Sequence, residues 1–330
     1  MKIGKLPESV LKRSVFKEIH TKRDEVLSGA GVGEDCAVMK LKEDEVFVLS
    51  TDPITGTVVD IGSLAVTVTL NDIASAGAEP VGILVTVLLP PEITEAEIKG
   101  MVRQMEEACA ENRVQIMGGH TEITEAVRQP LISVTGVGKA KADKLLLTSG
   151  AKIGDDIVVT KWIALEGTAI LAKEHTQRLL SRFPGHFLET AKGFDRYLSV
   201  VKEAMIASDC GVHAMHDVTE GGIFGALWEV AEASGIGLDV DVKKIPIRQE
   251  SVELCEFFGL NPYELISSGC MLIATPDGTG LVSALEREGI PAAIVGKAVE
   301  GNARVLRNGE EIRYLEPPKT DQIYLVKGEE

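Results

Sequence analysis

The sequence predicts an α/β (α+β) protein of two domains, and three observations lead to this prediction. The chain has 330 residues, about twice the length of a typical domain. Short apolar runs of β type alternate along it with segments whose apolar residues recur at helical spacing. A polar glycine turn, AKIGDD, interrupts a pair of β-type runs near the middle of the chain. We therefore predict one domain over residues 1–150 and a second over residues 151–330.

The first half predicts the element order ββαβαββ, which describes a mixed sheet with helices on one face. After an N-terminal helix and the loop GAGVGEDC, the runs AVMKL and VFVLST predict two strands joined as a hairpin by KEDE. Ser63 predicts the start of a helix that Gly77 ends, and Thr94 predicts the start of the next helix. The runs GILVTVLL, VQIMGG and LISVTGVGKA predict the remaining strands, with a glycine turn at the end of VQIMGG.

The second half predicts another set of alternating helices and strands. Helices are expected around residues 167–180, over 198–208 and in GIFGALWEVAEASG, where a Gly-Gly turn precedes an apolar helical face. SVELCEFFG and LVSALEREG predict two further amphipathic helices, whereas CMLIATP and AAIVGKA predict strands. The second domain is therefore also predicted to be α/β.

The composition excludes several classes of protein. A net charge of −16 is a poor match to nucleic acid, which requires a basic face, and to anionic membranes. No apolar run reaches the roughly 18 residues of a membrane span, and the N-terminus is too polar for a signal peptide. Five cysteines without a CxxC pair argue against a disulfide framework or a structural zinc site. We therefore expect a cytoplasmic protein that binds neither nucleic acid nor membranes.

Four short strings within residues 1–122 indicate one site: GVGEDCAV, STDPIT, NDIASAG and IMGGHTE. Three of them contain an aspartate: Asp35, Asp52 and Asp72. Carboxylates that meet in one site repel each other unless a cation lies between them. Mg²⁺ prefers such oxygen ligands and usually binds through one or two carboxylates plus substrate phosphates. The pattern predicts Mg²⁺ at Asp35, Asp52 and Asp72, and nucleotide chemistry without a Walker loop.

Each of these residues also has a simpler interpretation. Asp35 is alternatively a turn residue, because aspartate favours such positions. Thr51 and Asp52 are expected to end a strand, where ordinary turn chemistry is the alternative to a site. Asn71 and Asp72 lie in an apolar helix, where an unpaired carboxylate is costly to bury. A metal ion would account for Asp72, and so would a lone salt bridge.

Two further groups are candidates for binding phosphate. Gly118 and Gly119 permit a close approach of the backbone to a phosphate, with a plain tight turn as the alternative. His120 either contacts nucleotide or substrate, or fills a surface position. Asp217 precedes a Gly-Gly turn at a helix start, where backbone N–H groups hold anions. Asp217 is alternatively the N-cap of that helix.

These strings, taken in order, resemble the aminoimidazole ribonucleotide synthetase (PurM-like) superfamily over about residues 30–300. MHDVTEGGIFGALWEVAEASGIGLDVD and KIPIRQESVELCEFFGLNPYELISSG resemble its hydrogenase-maturation branch, the HypE carbamoyl dehydratases. The resemblance implies an N-terminal domain that pairs with its copy into a β-barrel across a homodimer, followed by a C-terminal α/β domain. It also implies that ATP and Mg²⁺ bind mostly on the N-terminal domain, near the dimer interface.

Motifs and resemblance together predict a set of nucleotide contacts but no catalytic residue. Three departures from the branch stand out. The branch carries its substrate on a C-terminal cysteine, whereas the last cysteine here is Cys270 and the sequence ends in LVKGEE. His120 stands where an acidic residue is typical, and Glu220 where a basic residue is usual.

The nucleotide contacts that motifs and resemblance together predict are Asp35, Thr51, Asp52, Asn71, Asp72, Gly118, Gly119, His120 and Asp217.

The leading functional hypothesis is an ATP- and Mg²⁺-dependent enzyme that phosphorylates an oxygen of a small or protein-borne acyl or amide group. The resemblance suggests a hydrogenase maturation factor that works with other maturation proteins. One alternative is a kinase or ligase of the same superfamily unrelated to hydrogenase. Another is a non-enzymatic, nucleotide-binding assembly partner. The absent terminal cysteine favours the alternatives, whereas the three separate acidic motifs favour an enzyme.

Overall fold

The computed structural model describes residues 4–5, 8–29, 37–54, 58–317 and 319–326. The chain divides into two compact units. The first comprises residues 1–74 and 78–145, and the second comprises residues 75–77 and 146–330. In the described part of the chain, no helix is both long and apolar enough to cross a lipid bilayer.

The first unit is built on a five-stranded mixed sheet with the strand order β1-β6-β5-β7-β4. β5 and β6 are parallel, whereas β7 runs antiparallel to both of its neighbours, β5 and β4. β2 and β3 form a separate antiparallel pair. In chain order the described elements are β1 (Gly4–Lys5), α1 (Glu8–Ser14), β2 (Val26–Ser28), β3 (Val38–Met39), β4 (Glu45–Ile54), α2 (Ile61–Ser75), β5 (Glu79–Leu89), α3 (Glu95–Glu111), β6 (Gln115–Ile123) and β7 (Leu131–Lys141).

α2 packs closely against one face of this sheet because β7 presents glycines beneath it. A Cβ atom at Gly138 would lie 2.3 Å from Ile73 of α2, and one at Gly136 would lie 2.7 Å from Thr69. The helix in turn approaches α3, since a Cβ atom at Gly62 would lie 2.4 Å from the carbonyl oxygen of Met101. We call the side of the sheet that α2 covers the covered face.

The other side of the sheet carries side chains that the first unit leaves exposed. Successive side chains of a strand point to opposite faces. On β4 the exposed residues Phe47, Leu49 and Thr51 therefore lie opposite Ser50 and Asp52. Leu84 of β5 extends this apolar surface. We call this side, with Phe47, Leu49, Thr51 and Leu84, the open face.

The second unit is built on a seven-stranded sheet with the strand order β14-β13-β10-β12-β8-β11-β9. Its apolar core forms between α8 and the sheet, where Ile223 and Leu227 pack with Val159 and Leu272. The strands are β8 (Asp156–Thr160), β9 (Ala214–Val218), β10 (Gly237–Asp241), β11 (Cys270–Thr275), β12 (Ala292–Val299), β13 (Arg304–Asn308) and β14 (Glu311–Tyr314). The helices are α4 (Leu165–Glu174), α5 (Thr176–Leu179), α6 (Gly185–Lys192), α7 (Val201–Asp209), α8 (Gly222–Ser234), α9 (Gln249–Phe258) and α10 (Gly278–Arg287).

The predicted order ββαβαββ is confirmed by the elements from β3 to β7, and both units are mixed α/β as expected. The predicted hairpin is wrong, because β3 pairs with β2 while β4 pairs with β7 along its whole length. The long ladder between β4 and β7 outweighs the local turn signal in KEDE. Thr94 is the N-cap of α3 and forms a capping box with Glu97, as predicted. Ser63 is not an N-cap, since α2 already begins at Ile61.

Candidate functional site

The structure brings two of the predicted metal ligands to the covered face. Ser50 of β4 donates a hydrogen bond from Oγ to Oδ2 of Asp72, which lies on α2. Asp52 lies two residues further along β4 on the same face as Ser50, about 7 Å away along the strand. A carboxylate from the strand and one from the helix thus lie on the same side of the sheet.

Asp52 has an oxygen that the rest of the described chain does not satisfy. Its Oδ2 atom is buried and has no hydrogen-bond partner among the described residues. A buried carboxylate oxygen without a partner costs free energy of folding, on the order of 1–3 kcal/mol or more for a charged group. Asn71, next to Asp72 on α2, is fully buried. Such a set of oxygen donors suits a hard cation.

The donor set is compatible with Mg²⁺, although it is not a complete protein cage. Among the described residues, no three histidine, cysteine, aspartate or glutamate side chains are grouped to hold a metal ion. Mg²⁺ usually keeps several waters and binds through one or two carboxylates plus substrate phosphates. Two carboxylates such as Asp52 and Asp72 would therefore suffice as protein ligands. Asp35, the third predicted ligand, lies outside the described residues.

Two predicted nucleotide contacts lie on the open face instead. The Oγ1 atom of Thr51 lies 3.0 Å from Oγ1 of Thr135, its partner on β7. His120 lies on β6, and its Nε2 atom is 3.1 Å from Oε2 of Glu122. The strand register aligns Asp52 with Gly119 across the sheet. His120 follows Gly119 on β6, so its side chain points to the opposite face of the sheet from that of Asp52. The structure therefore does not bring the side chains of Thr51 and His120 to the two carboxylates.

The two glycines before His120 do not form the predicted turn. β6 continues through Gly118 and Gly119 as far as Ile123, so the predicted end of the strand is wrong. Gly119 has φ +152°, and a Cβ atom there would lie 2.0 Å from the carbonyl oxygen of Val85 on β5. A Cβ atom at Gly118 would meet only Leu84, at 3.3 Å. Gly119 is thus required by the close approach of two strands, and its contact with a phosphate stays a prediction.

Asp217 lies in the second unit, buried near the end of β9 opposite Met271 of β11. It does not cap the following helix, so this alternative is wrong. The N-cap of α8 is Gly221, with φ +79°, which makes no side-chain capping bond. The backbone N–H of Gly221 instead donates to Oδ2 of Asp321, at 2.7 Å. This contact has no signal in the local sequence, because Asp321 is 100 residues away along the chain.

Comparison with protein families supports the resemblance across both units. The family model for the N-terminal domain of AIR synthase related protein matches residues 33–140. The model for the C-terminal domain of the same family matches residues 152–307. The chain belongs to the AIR synthase related protein family.

Similar members of this family include proteins of hydrogenase maturation. A hydrogenase expression/formation protein of Methanocaldococcus jannaschii is 29% identical, over 82% of this chain and 80% of its own length. The carbamoyl dehydratase HypE of Cupriavidus necator is 30% identical, over 73% of this chain and 68% of its own length. A selenide, water dikinase of Methanococcus maripaludis is 28% identical, over 94% of this chain and 97% of its own length.

Solved structures of the family have the same fold. HypE in complex with ATP superposes with a TM-score of 0.81 at 22% identity, covering 96% of this chain and 95% of that one. HypE in a complex with HypF superposes with a TM-score of 0.72 at 21% identity, covering 82% of this chain and 90% of that one. The predicted PurM-like fold is thereby confirmed.

In this family member another buried carboxyl group, Glu166, is not among the predicted nucleotide contacts. Glu166 lies in the first turn of α4, within the apolar segment WIALEGTAIL, and is only 5% exposed. Burial raises its pKa to about 7, and the nearby charges of Asp321 and Glu220 act in the same direction, whereas a hydrogen bond with Ser268 opposes them. A carboxyl group with a pKa near neutrality is a candidate for proton transfer. The sequence signal for Glu166 is that it is a single glutamate in an otherwise apolar run.

The two glycines of β6 provide a matched test of the structural role assigned to Gly119. Gly119→Ala is expected to lower the free energy of unfolding by about 2 kcal/mol or more, because its Cβ atom would collide with the backbone of β5. Gly118→Ala is expected to change it by less than about 1 kcal/mol, since only the flexible end of Leu84 has to move. Urea denaturation followed by circular dichroism measures both values. Equal effects of the two substitutions would contradict this explanation.

Proposed function

We propose that this chain is an ATP- and Mg²⁺-dependent enzyme of the carbamoyl-dehydratase kind, which phosphorylates the oxygen of a carboxamide during hydrogenase maturation. The names of its relatives support this assignment, since dehydratases about as similar as the one from C. necator recur among them. The observation that carries the proposal is the pair Asp52 and Asp72 on the covered face, with a buried carboxylate oxygen of Asp52 that lacks a partner in the described chain.

In this proposal the chain's own residues prepare a site for the phosphates. Asp52 and Asp72 hold Mg²⁺, with Asp35 as the third proposed ligand. Ser50 fixes the orientation of the Asp72 carboxylate through its hydrogen bond, so less freedom is lost when the ion binds. When bound, Mg²⁺ supplies positive charge that neutralises the phosphoryl oxygens. Thr51, Asn71, Gly118, Gly119, His120 and Asp217 remain proposed nucleotide contacts.

The proposed reaction removes water from a carboxamide in two steps. The amide oxygen attacks the γ-phosphorus of ATP, the bond to the bridging oxygen breaks, and ADP leaves. Phosphate then departs with the former amide oxygen while the nitrogen loses its two protons, which leaves a nitrile. Positioning and charge neutralisation supply most of the acceleration in such phosphoryl transfers. The acceptor is a small or protein-borne amide.

Calorimetry of ATP binding tests the proposed site. Wild-type protein is expected to bind ATP more tightly with Mg²⁺ than without it. Asp52→Asn and Asp72→Asn are each expected to weaken the Mg²⁺-dependent binding at least about tenfold, because each removes a negative charge from the ion. Asp44→Asn is the matched control, since Asp44 is exposed just before β4 and pairs only loosely with Lys141, at 3.6 Å. Unchanged binding by Asp52→Asn would contradict the proposed site.

A second candidate, a dikinase, is favoured by the coverage of the selenide, water dikinase, which matches nearly the whole chain. A dikinase transfers two phosphoryl groups and releases AMP, whereas the proposed dehydratase releases ADP. Analysis of the nucleotide formed during turnover with a carboxamide or with selenide distinguishes the two. If ATP binds but no nucleotide is converted with either acceptor, the protein is a non-catalytic assembly partner.

We also propose that the enzyme is a homodimer formed through the open face. Phe47, Leu49 and Leu84 expose apolar side chains there, Leu49 by 64%. Such a cluster on a sheet face is costly in water and typical of an interaction surface. The resemblance implies that two such sheets form a barrel across the dimer. Other hydrogenase-maturation proteins in the cytoplasm are the proposed further partners, because a solved structure of HypE contains HypF.

Light scattering coupled to gel filtration tests the dimer. Wild-type protein is expected to elute as a dimer, and Leu49→Asp as a folded monomer, because the substitution places a charge in the centre of the contact. Ile312→Asp is the matched control, since Ile312 is similarly exposed on β14 of the second unit. A wild-type monomer, or an unchanged dimer with Leu49→Asp, would refute the proposed interface.

A further inference from the structure

A segment near the C-terminus, Lys319–Val326, lies across the start of α8 and is here called the strap. Its anchor is Asp321, which is only 2% exposed. Asp321 accepts hydrogen bonds from the backbone N–H of Gly221, at 2.7 Å, and from that of Ile323, at 2.8 Å. The strap thus places a carboxylate at the positive end of the α8 dipole, where an anion is stabilised.

The other contacts of the strap are few and mostly polar. The side chain of Gln322 accepts a hydrogen bond from the backbone of Asn261, at 3.1 Å, and donates one to Glu264, at 3.0 Å. The hydroxyl of Tyr324 donates to Oε1 of Glu220, at 2.8 Å. Ile323 and Val326 pack against the apolar cluster of α4, α6 and α9. Closure of the strap therefore depends strongly on the groups around Asp321 and Glu220.

Three carboxyl groups meet under the strap: Glu166 from α4, Glu220 from the turn before α8, and Asp321 from the strap itself. Glu166 bonds to Ser268 on one side, while its Oε2 atom is buried without a hydrogen-bond partner in the described part of the chain. No basic residue is among the groups that shift the pKa of Glu166 most strongly. Three carboxylates so placed repel one another unless one of them is protonated.

We propose that this carboxyl cluster holds one proton, on Glu166, and that this proton keeps the strap closed over the first turn of α8. Loss of the proton leaves three negative charges beneath the strap. The strap segment is the element that relieves the repulsion, because its own carboxylate, Asp321, leaves with it. Opening exposes the N–H of Gly221, a donor for an anion at the helix start.

The pKa values have the direction that this mechanism requires. Burial first, then the charges of the neighbouring carboxylates, raise the pKa of Glu166 to about 7. Burial also raises the pKa of Asp321, and the bond to Glu220 raises the pKa of Tyr324 to about 12. Because the pKa of Glu166 is raised while the strap is closed, the closed state binds the proton more tightly than the open state does. Closure is therefore most stable well below pH 7 and weakens as the pH rises through about 7.

Hydrogen exchange of the strap amides, corrected for the intrinsic rate, tests the proposal directly. In wild-type protein the protection of the strap is expected to fall about tenfold between about pH 6 and about pH 8, as the linkage to a pKa of about 7 requires. Glu166→Gln is expected to abolish this dependence, since its amide is neutral at both pH values. Glu174→Gln is the matched control on the same helix, because Glu174 is exposed, and it should behave like wild type.

Equal protection of the wild-type strap at both pH values would overturn the proposal. So would a pH response that persists in Glu166→Gln. Restored protection at about pH 8 on addition of Mg²⁺ would also overturn it, since the cluster would then be a cation site. Infrared spectroscopy of wild-type protein with isotope-labelled glutamate needs no variant. It should show a protonated glutamate carboxyl that titrates near neutral pH, and its absence would count against the mechanism.

Discussion

The hydrogen bond between Ser50 and Asp72 is the interaction on which the proposed chemistry of the first unit depends. It joins β4 to α2 and brings a helical carboxylate to the face that also carries Asp52. The glycines of β7 make this approach possible, because any side chain at Gly136 or Gly138 would push α2 away from the sheet. Close packing of α2 therefore comes first, and the arrangement of the carboxylates follows from it. The oxygen of Asp52 that has no partner among the described residues is then a structural cost that ion binding would remove.

The sheet also separates functions between its two faces. The covered face presents the carboxylates, whereas the open face presents Phe47, Leu49 and Leu84 together with Thr51 and His120. If the open face forms the dimer, Thr51 and His120 lie beside the partner subunit, on the opposite side of the sheet from Asp52 and Asp72. In the second unit a carboxylate of the chain itself lies at the start of α8. Asp321 of the strap takes the position there that an external anion would otherwise occupy.

Much of the fold could be predicted from sequence, because apolar periodicity and caps are local signals. Thr94 begins α3 as its capping box requires, and Asp72 lies inside α2 as the apolar run indicates. The errors arose where distant chain segments decide the outcome. β4 pairs with β7 rather than with its neighbour β3, and Gly119 continues a strand because of Val85 on β5. The strict alternation of side chains in LSTDPI already separates Thr51 from Asp52, but only the register places His120 on the side of Thr51. The contact between Asp321 and Gly221 has no local signal at all.

The most direct test of the account is anomalous diffraction from crystals grown with Mn²⁺ in place of Mg²⁺ and a non-hydrolysable ATP analogue. The central claim is that the carboxylates of the covered face hold the ion. It predicts an anomalous peak within coordination distance of the Asp52 and Asp72 carboxylates, with phosphate oxygens completing the shell. A metal peak beside Thr51 and His120 on the open face, with none at Asp52, would contradict the account.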